Sequence, residues 1–397
     1  MASIITTIPN KNTLNERWLP TDLSIYFGIS ILNKLPVKYH IRYFSIDDNI
    51  YTTIIILTNS NTGEYLTQGN GKGIGGQSFA SALYECLEHY YLEIHTPKNV
   101  KNITVSELLS QDHQLCREAP FYELNVNDQN EKIACCCYTK YSDNKDLYYP
   151  ISLLSPQFSL DLKLEAYSSN NGVATGLDID ETLIHAACEL IERQSLSKLY
   201  INIIADPNHH MKRVNISTLP CYIKDIISHF EIMFKEKLEI YNISYYSYFP
   251  VYLALIRTDK LPISGSGCSI DEAYALERAV LECIQQYHLY SDTNGELERE
   301  DTNVLNLFYN YPDILRAVKL ETKAIFTNYY TTSEYEQKSV PEIMELISLG
   351  LRGYGYEIYY YIINKSDHHI CLKAIIPGFE KFHLIRYGCN VCANLPP

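Results

Sequence analysis

One arrangement occurs three times along this chain: a glycine-rich segment that leads directly into a helical pattern. The three blocks read GNGKGIGGQSFASALYECLEHYY at 69–91, SSNNGVATGLDIDETLIHAACELIERQSL at 168–196 and SGSGCSIDEAYALERAVLECIQQYHLY at 264–290. Because glycine runs are typical of turns, we expect the glycine segments to be loops rather than parts of regular elements. Strand-like runs precede two of the blocks, at 51–58 and 251–257. The pattern therefore predicts strand, loop and helix in that order, repeated along the chain.

The remaining elements are also mixed. Hydrophobic periodicity predicts further strands at 133–141, 357–363 and 370–376, and helices at 78–93, 181–201, 223–237, 271–290 and 340–351. This mixture predicts an α/β fold of the mixed α+β kind, with mixed sheets and three loop–helix blocks around one site. No Gly/Ser-rich or Pro-rich linker divides the chain. We expect one composite domain over 1–397, with core motifs at 69–290 and a C-terminal α/β portion at 291–397.

The charge balance narrows the possible partners. The chain has 33 basic and 47 acidic residues, a net charge of −14. Such a surface argues against non-specific binding to nucleic acid or to anionic membranes, both of which need a basic field. No stretch approaches about 18 consecutive apolar residues, so neither a signal peptide nor a membrane span is expected. We therefore expect a cytoplasmic protein without nucleic-acid or membrane partners.

Each of the three predicted helices carries polar residues three positions apart, on one face. The pairs are Glu85 and Glu88, Glu189 and Glu192, and Glu282 with Gln285. A single pair of this kind usually lies on a solvated face. Here the neighbours are mostly Ala, Leu, Ile and Cys, and carboxylates buried among them need a compensating cation. Mg²⁺ that bridges phosphates would supply it, so the pattern predicts magnesium.

Two further glutamates can be explained as helix caps. Glu181 follows Asp178 at the spacing of a capping box, and Glu272 follows Ser269 in the same way. We interpret Glu272 as a cap, and for Glu181 a cap and a ligand both remain open.

The cationic residues of the blocks have two interpretations. Lys72 is followed by Gly73 rather than by Ser or Thr, so the first glycine segment is not a P-loop; it either contacts phosphate or is a simple turn. Arg193 and Arg278 lie close in sequence to the glutamates, where arginine usually forms ion pairs. Beside bound phosphates the same side chains would stabilise negative charge.

The chain has 12 cysteines, which we expect to be mainly buried small hydrophobic residues rather than disulfides. Cys389 and Cys392 form an isolated C-x-x-C, whereas a structural zinc site usually needs a second pair. Metal binding by this pair remains open.

Taken together, the motifs resemble those of the YcaO family. N-G-K-G with A-S-A-L-x-E-x-x-E at 70–88, E-x-x-E-R at 189–193 and R-A-x-x-E-x-x-Q at 278–285 are similar to its three motifs, and the resemblance covers roughly 50–290. The segment CELIERQSL at 188–196 looks most like cyclodehydratases of azole-containing microcins.

The resemblance implies a site for ATP and Mg²⁺. The implied metal ligands are Glu85, Glu88, Glu189 and Glu192. The implied nucleotide-binding residues are Lys72, Glu181, Arg193, Arg278, Glu282 and Gln285. Arg193 and Arg278 would also act in catalysis, and so would the C-terminal carboxylate of Pro397 as the general base.

The implied activity is the ATP-dependent cyclodehydration of Cys, Ser or Thr in a ribosomal precursor peptide to azolines. We see no leader-binding domain before the first block, so we expect a partner protein to bring the peptide, with a homodimer also possible. Three alternatives remain open: thioamide or amidine formation by the same ATP chemistry, a ligase that forms an acyl phosphate, and a non-catalytic scaffold. Ala174 and Leu177, which replace polar residues of the family pattern, favour the scaffold.

Overall fold

The computed structural model describes residues 16–47, 49–127, 129–158, 162–293, 295–330, 338–367 and 369–394. Its strands, in chain order, are β1 (Val37–Ser45), β2 (Ile50–Asn59), β3 (Tyr65–Ile74), β4 (Lys101–Thr104), β5 (Lys132–Lys140), β6 (Asp146–Pro150), β7 (Val173–Gly176), β8 (His210–Val214), β9 (Leu238–Asn242), β10 (Val251–Ile256), β11 (Ile263–Cys268), β12 (Lys323–Thr327), β13 (Tyr359–Ser366) and β14 (His369–Ile375). Its helices are α1 (Thr21–Leu32), α2 (Gln77–Glu93), α3 (Val105–Ser110), α4 (Ala119–Asn127), α5 (Leu162–Glu165), α6 (Ile179–Ala205), α7 (Cys221–Phe234), α8 (Glu272–Asp292), α9 (Glu296–Leu307), α10 (Pro312–Val318) and α11 (Val340–Gly353).

The strands form three sheets. The first is the antiparallel meander β1-β2-β3, and the second has the order β11-β10-β9-β8-β12. The third has the order β4-β5-β13-β14-β7, with β6 paired to β5. In the described part of the chain, β12 beside β8 is the one parallel pair. The predicted α/β class of the mixed kind, with mixed sheets, is confirmed.

Most of the glycine segments are not the loops that we expected. The first lies in β3 up to Ile74, with only Gly75 and Gly76 in a turn; the third lies within β11, and the second ends in β7. A Cβ atom on Gly71 would lie 1.8 Å from the carbonyl oxygen of Ser78 on α2, and one on Gly267 would lie 2.1 Å from that of Ala275 on α8. The glycines therefore serve close packing of a strand against the helix that follows it, rather than a turn.

Strand β10 lies between two hydrophobic cores. Its six residues are all buried, and successive side chains point to opposite faces of the sheet. Leu253 faces the larger core, to which α2, α6 and β14 contribute, whereas Tyr252 and Ala254 face a smaller core with α7 and α8. The site described below lies where helices from both cores approach each other. The organisation as one composite domain stays a prediction.

Helix α6 is the longest described helix, with 27 residues, and most of its faces are buried. It packs against β7, β11 and β14 as well as α10 and α11, so it connects the second and third sheets. None of the described helices is both long and apolar enough to cross a membrane.

Candidate active site

The three blocks meet at a single cavity of about 350 Å³, bordered by β3, α2, α6 and α8. Every predicted site residue in the described part of the chain lines it, namely Lys72, Glu85, Glu88, Glu181, Glu189, Glu192, Arg193, Arg278, Glu282 and Gln285. Pro397 lies outside the described residues, so its predicted role as general base is untested. The cavity thus brings together side chains that lie about 200 residues apart, Lys72 and Glu282 being 210 positions distant in sequence.

Glu85 and Glu88 of α2 repel each other, and Glu88 is also repelled by Glu189 of α6. Burial raises the pKa of Glu88 well above its usual value, and the negative charges of Glu189 and Glu85 raise it further. Burial likewise raises the pKa of Glu85, against the opposing influence of His89 and Lys72. Such a group of acids favours protons or a bound cation over free carboxylates.

Glu192 of α6 is held by donors from the third block. Its Oε1 accepts hydrogen bonds from the backbone N of Cys268 at 2.9 Å and from Nη2 of Arg278 at 3.3 Å, and its Oε2 accepts one from Ser266 Oγ at 3.1 Å. This carboxylate, Glu192, is almost completely buried, so it fixes β11 and α8 against α6. A metal bond to it would have to compete with these donors, and its role as a metal ligand stays a prediction.

Two more ion pairs line the cavity: one joins β3 to α8, and the other lies within α6. Nζ of Lys72 lies 2.6 Å from Oε2 of Glu282, and Nη2 of Arg193 lies 3.5 Å from Oε1 of Glu189. Burial opposes ionisation of Glu282, but Lys72 and Arg193 outweigh it and lower the pKa of this carboxyl. Each of the three predicted cations therefore faces a glutamate that the sequence also assigns to the site.

Glu181 and Glu272, the two glutamates that the sequence could also explain as caps, do not form capping boxes. Asp178 caps α6, as predicted, but the side chain of Glu181 turns towards Arg17, whose Nη1 lies 3.4 Å from Glu181 Oε1. Our interpretation of Glu272 as the partner of a Ser269 cap is wrong. Asp271 caps α8 instead, and Glu272 accepts a hydrogen bond from the hydroxyl group of Tyr252 at 2.5 Å.

Sequence reasoning missed several residues of the cavity. Arg17 precedes the first helix, and Asn170, Asn171 and Thr175 belong to the second glycine segment. Ala174, which favoured a scaffold, lies in the core, and its neighbours Val173 and Thr175 line the cavity. The asparagines beside the glycine segment were the sequence signal that could have identified this part of the cavity wall.

Lys373 on β14 was also missed. It is buried, and its Nζ donates a hydrogen bond to the carbonyl oxygen of Ser169 at 2.7 Å. Burial lowers its pKa to about 7, although Glu189 and Glu88 oppose this shift. A lysine inside an apolar strand pattern gives no local signal of such a position.

The donor set fits ATP and Mg²⁺. No three His, Cys, Asp or Glu side chains converge into a preformed metal site in the described ranges, and Cys389 and Cys392 both have free thiols. This agrees with magnesium, which protein usually holds through one or two carboxylates while phosphate and water oxygens complete the shell. Buried acids that repel each other would hold the metal, and Lys72 and Arg193 would bind the phosphates.

The family comparison agrees with the geometry. The model of the YcaO cyclodehydratase family, described as ATP- and Mg²⁺-binding, matches residues 70–380. The chain belongs to the YcaO family. The predictions of the family and of ATP and Mg²⁺ as its cofactors are confirmed, whereas the role of each site residue stays a prediction. No match to the chain is found among curated proteins.

Solved structures share the fold. A YcaO protein from Methanopyrus kandleri bound with AMPPCP and Mg²⁺ is 14% identical, with a TM-score of 0.67 and coverage of 96% of each chain. A heterocyclase in complex with substrate and cofactor is 17% identical, with a TM-score of 0.67; the match covers 92% of this chain and 54% of that one, about half its length. The E. coli microcin synthetase McbBCD complex is 14% identical, with a TM-score of 0.57 and coverage of 87% and 88%.

Proposed function

We propose that this chain uses ATP and Mg²⁺ to activate a backbone amide of a ribosomal precursor peptide, and that the activated amide closes to an azoline with a neighbouring Cys, Ser or Thr side chain. The observation that carries the proposal is the convergence of glutamates and cations from all three blocks on one cavity. Membership of the YcaO cyclodehydratase family and the likeness of the fold to a heterocyclase and a microcin synthetase support it.

The chain's own residues have separable tasks in this proposal. Glu85, Glu88 and Glu189 hold the metal, because their mutual repulsion is relieved by a divalent cation. Arg193 and Lys72 leave their glutamate partners and bind phosphate oxygens, where they neutralise the charge that develops. The exchange replaces acid–base pairs within the protein by acid–metal and cation–phosphate pairs.

ATP supplies the phosphoryl group that turns the amide oxygen into a leaving group. The attacking side chain would form a bond to the amide carbon and release its proton to solvent, and the amide oxygen would take the γ-phosphoryl group as ADP leaves. Phosphate would then depart as the amide nitrogen loses its proton, so that a C=N bond completes the azoline ring. Arg278 stays beside Glu192 and keeps the wall of the cavity in position. Phosphoryl transfer asks the protein mainly for such positioning and charge neutralisation.

The peptide reaches the site with help from a partner protein that binds its leader, and a homodimer is a further possible arrangement of the chain. The M. kandleri protein and the heterocyclase were each solved with ligands, and the microcin synthetase was solved as a complex. These likenesses support nucleotide, peptide and partner as binding classes for this chain.

Mass spectrometry of the product tests the proposal. The chain is incubated with ATP, Mg²⁺ and the precursor peptide and partner protein encoded beside its gene. Loss of the mass of one water for each ring formed supports cyclodehydration. Exchange of oxygen for sulfur, or addition of an amine with loss of water, would identify thioamide or amidine formation instead. An unchanged peptide and no phosphate release under all these conditions would contradict an enzymatic role.

A further inference from the structure

A second cavity adjoins the candidate active site. Its volume is about 790 Å³, within the range of about 300–1,000 Å³ that is usual for ligand sites. Arg193, Glu282 and Gln286 line both cavities, so these side chains form the boundary between the two. A molecule in the second cavity would therefore lie next to the cation–glutamate pairs of the first.

The walls of this second cavity combine apolar and polar side chains in about equal share. Leu253 on β10 and Val304 on α9 are buried within it, and Tyr290 of α8 contributes a ring. Leu307 and Tyr387 also line it and are 54% and 67% exposed. The cavity therefore offers apolar and aromatic contacts beside polar groups such as those of Glu300 and Asn303.

One buried carboxylate in this cavity has an unused acceptor. The side chain of Asp301 is only 7% exposed, and its Oδ1 accepts a hydrogen bond from Nη1 of Arg386 at 3.1 Å. Its Oδ2 is buried and has no donor at full hydrogen-bonding distance within the described residues, although the Tyr290 hydroxyl group and the backbone N–H of Leu261 lie close enough to interact with this carboxylate. A buried acceptor of this kind is costly unless a donor reaches it, so a ligand with an N–H group would be favoured.

We propose that the second cavity binds the stretch of peptide that flanks the reacting residue; this inference rests on the proposed function of the first cavity. An extended peptide offers both features that the cavity lacks, namely side chains for its apolar residues and backbone N–H groups for Asp301. A carboxylate that accepts from a peptide N–H forms a charge-assisted hydrogen bond. The next amide of the same peptide then lies at the Arg193 boundary, on the side of the nucleotide.

Fluorescence anisotropy with defined peptides tests this assignment. The probe is a pool of fluorescein-labelled synthetic peptides with a central Gly-Ser-Cys segment and randomised flanks, added to the full chain saturated with Mg²⁺ and AMPPCP. Leu307→Glu places a charge where the cavity offers an apolar contact and should weaken binding about tenfold or more. Asp301→Asn replaces the unused acceptor by a donor and should weaken it about three- to tenfold. Leu349→Glu is the matched control, because Leu349 on α11 is 48% exposed, and this substitution should leave peptide affinity unchanged.

The outcomes separate this inference from the proposed function. All variants should keep the wild-type affinity for AMPPCP, measured by calorimetry, because the substituted side chains line only the second cavity or neither cavity. Two results would overturn the peptide assignment alone, provided that AMPPCP still binds. One is that the wild type binds no peptide; the other is that Leu307→Glu and Asp301→Asn bind peptide as tightly as the wild type. Failure of the wild type to bind AMPPCP would overturn the proposed function itself.

Discussion

The ammonium group of Lys72 lies 2.6 Å from Oε2 of Glu282, although 210 residues separate the two in sequence. Lys72 belongs to β3 and Glu282 to α8, so this contact fastens the first block to the third. Both side chains are mostly shielded, at 22% and 17% exposure. Removing one partner of an ion pair with this degree of burial costs more stability than it would on the surface, because the other charge is left buried and unpaired.

A double-mutant cycle measures this contact. We expect Lys72→Met and Glu282→Gln each to lower the free energy of unfolding by about 1–3 kcal/mol, because each leaves the other side chain without its partner. The double variant should lose less than the sum, with a coupling energy of about 1–2 kcal/mol. Urea unfolding of the four proteins gives these values.

The control is a pair of similar length on the surface. Nζ of Lys237 lies 2.5 Å from Oε2 of Glu231, but this lysine is 81% exposed. The same cycle there should give a coupling energy of about 0.5 kcal/mol or less. Equal coupling energies for the two pairs would show that burial does not strengthen the contact between Lys72 and Glu282.

Glu88→Gln should stabilise the ligand-free protein at neutral and higher pH. Burial, with Glu189 and Glu85, raises the pKa of Glu88 well above its usual value of 4.5, so the folded protein holds this proton more tightly than the unfolded chain does. The stability that this bound proton contributes is fully present below pH 4.5 and is lost as the pH rises through the pKa of Glu88 in the folded protein. The melting temperature of the variant relative to that of the wild type should therefore rise by about 2 °C from about pH 5 to pH 8.

The same substitution should weaken binding of Mg²⁺ with ATP, because a neutral amide is a poorer magnesium ligand than a carboxylate. Binding to the wild type should release protons, detectable by calorimetry in buffers with different ionisation enthalpies. Glu93→Gln, at the exposed end of the same helix, is the control and should leave both the pH dependence and binding unchanged. A melting temperature of Glu88→Gln that runs parallel to the wild type at every pH would contradict this explanation.

Gly71→Ala tests the close packing of β3 on α2. The added Cβ would lie 1.8 Å from a backbone oxygen of the helix, so strand and helix must separate. We expect a loss of about 2 kcal/mol or more in the free energy of unfolding, and nucleotide binding should weaken because Lys72 moves with the strand.

Gly353→Ala, at the end of α11, is the matched control, since nothing lies within 4 Å of its added Cβ. Its stability should stay within about 0.5 kcal/mol of the wild type or increase slightly. If Gly71→Ala were as stable as this control, the glycines of β3 would have no packing role.

Elements with strong local patterns could be predicted from the sequence. The β-branched run at 51–58 is β2 (Ile50–Asn59), and the pattern at 340–351 is α11 (Val340–Gly353), whose capping box is formed by Ser339 and Glu342. The motifs also named side chains that lie in one cavity, because residues three apart on a helix share a face whatever the tertiary fold.

The errors and omissions arise from long-range contacts. In β3 and β11, glycine is needed so that a helix can pack closely against the strand. In the sequence, such a glycine looks the same as one in a turn, so these segments were predicted as loops. Arg17 pairs with Glu181 across 164 positions, and Lys373 of the third sheet lies close enough to Glu88 and Glu189 to interact with their charges. No local periodicity indicates which distant strand or segment will close a cavity.

Calorimetric titration with ATP and Mg²⁺ tests the central claim most directly, by comparing the wild type with Glu189→Gln. The glutamine keeps an oxygen for the hydrogen bond from the backbone N of Gly172, which is 2.9 Å in the wild type, but removes the charge beside Arg193. Glu345→Gln, at an exposed position of α11, is the control. We predict binding to the wild type and to the control, and a loss of about 100-fold or more in affinity for Glu189→Gln, as expected when a metal ligand is removed. Equal binding by Glu189→Gln, or no binding by the wild type with or without a partner protein, would contradict a nucleotide site built from the three blocks.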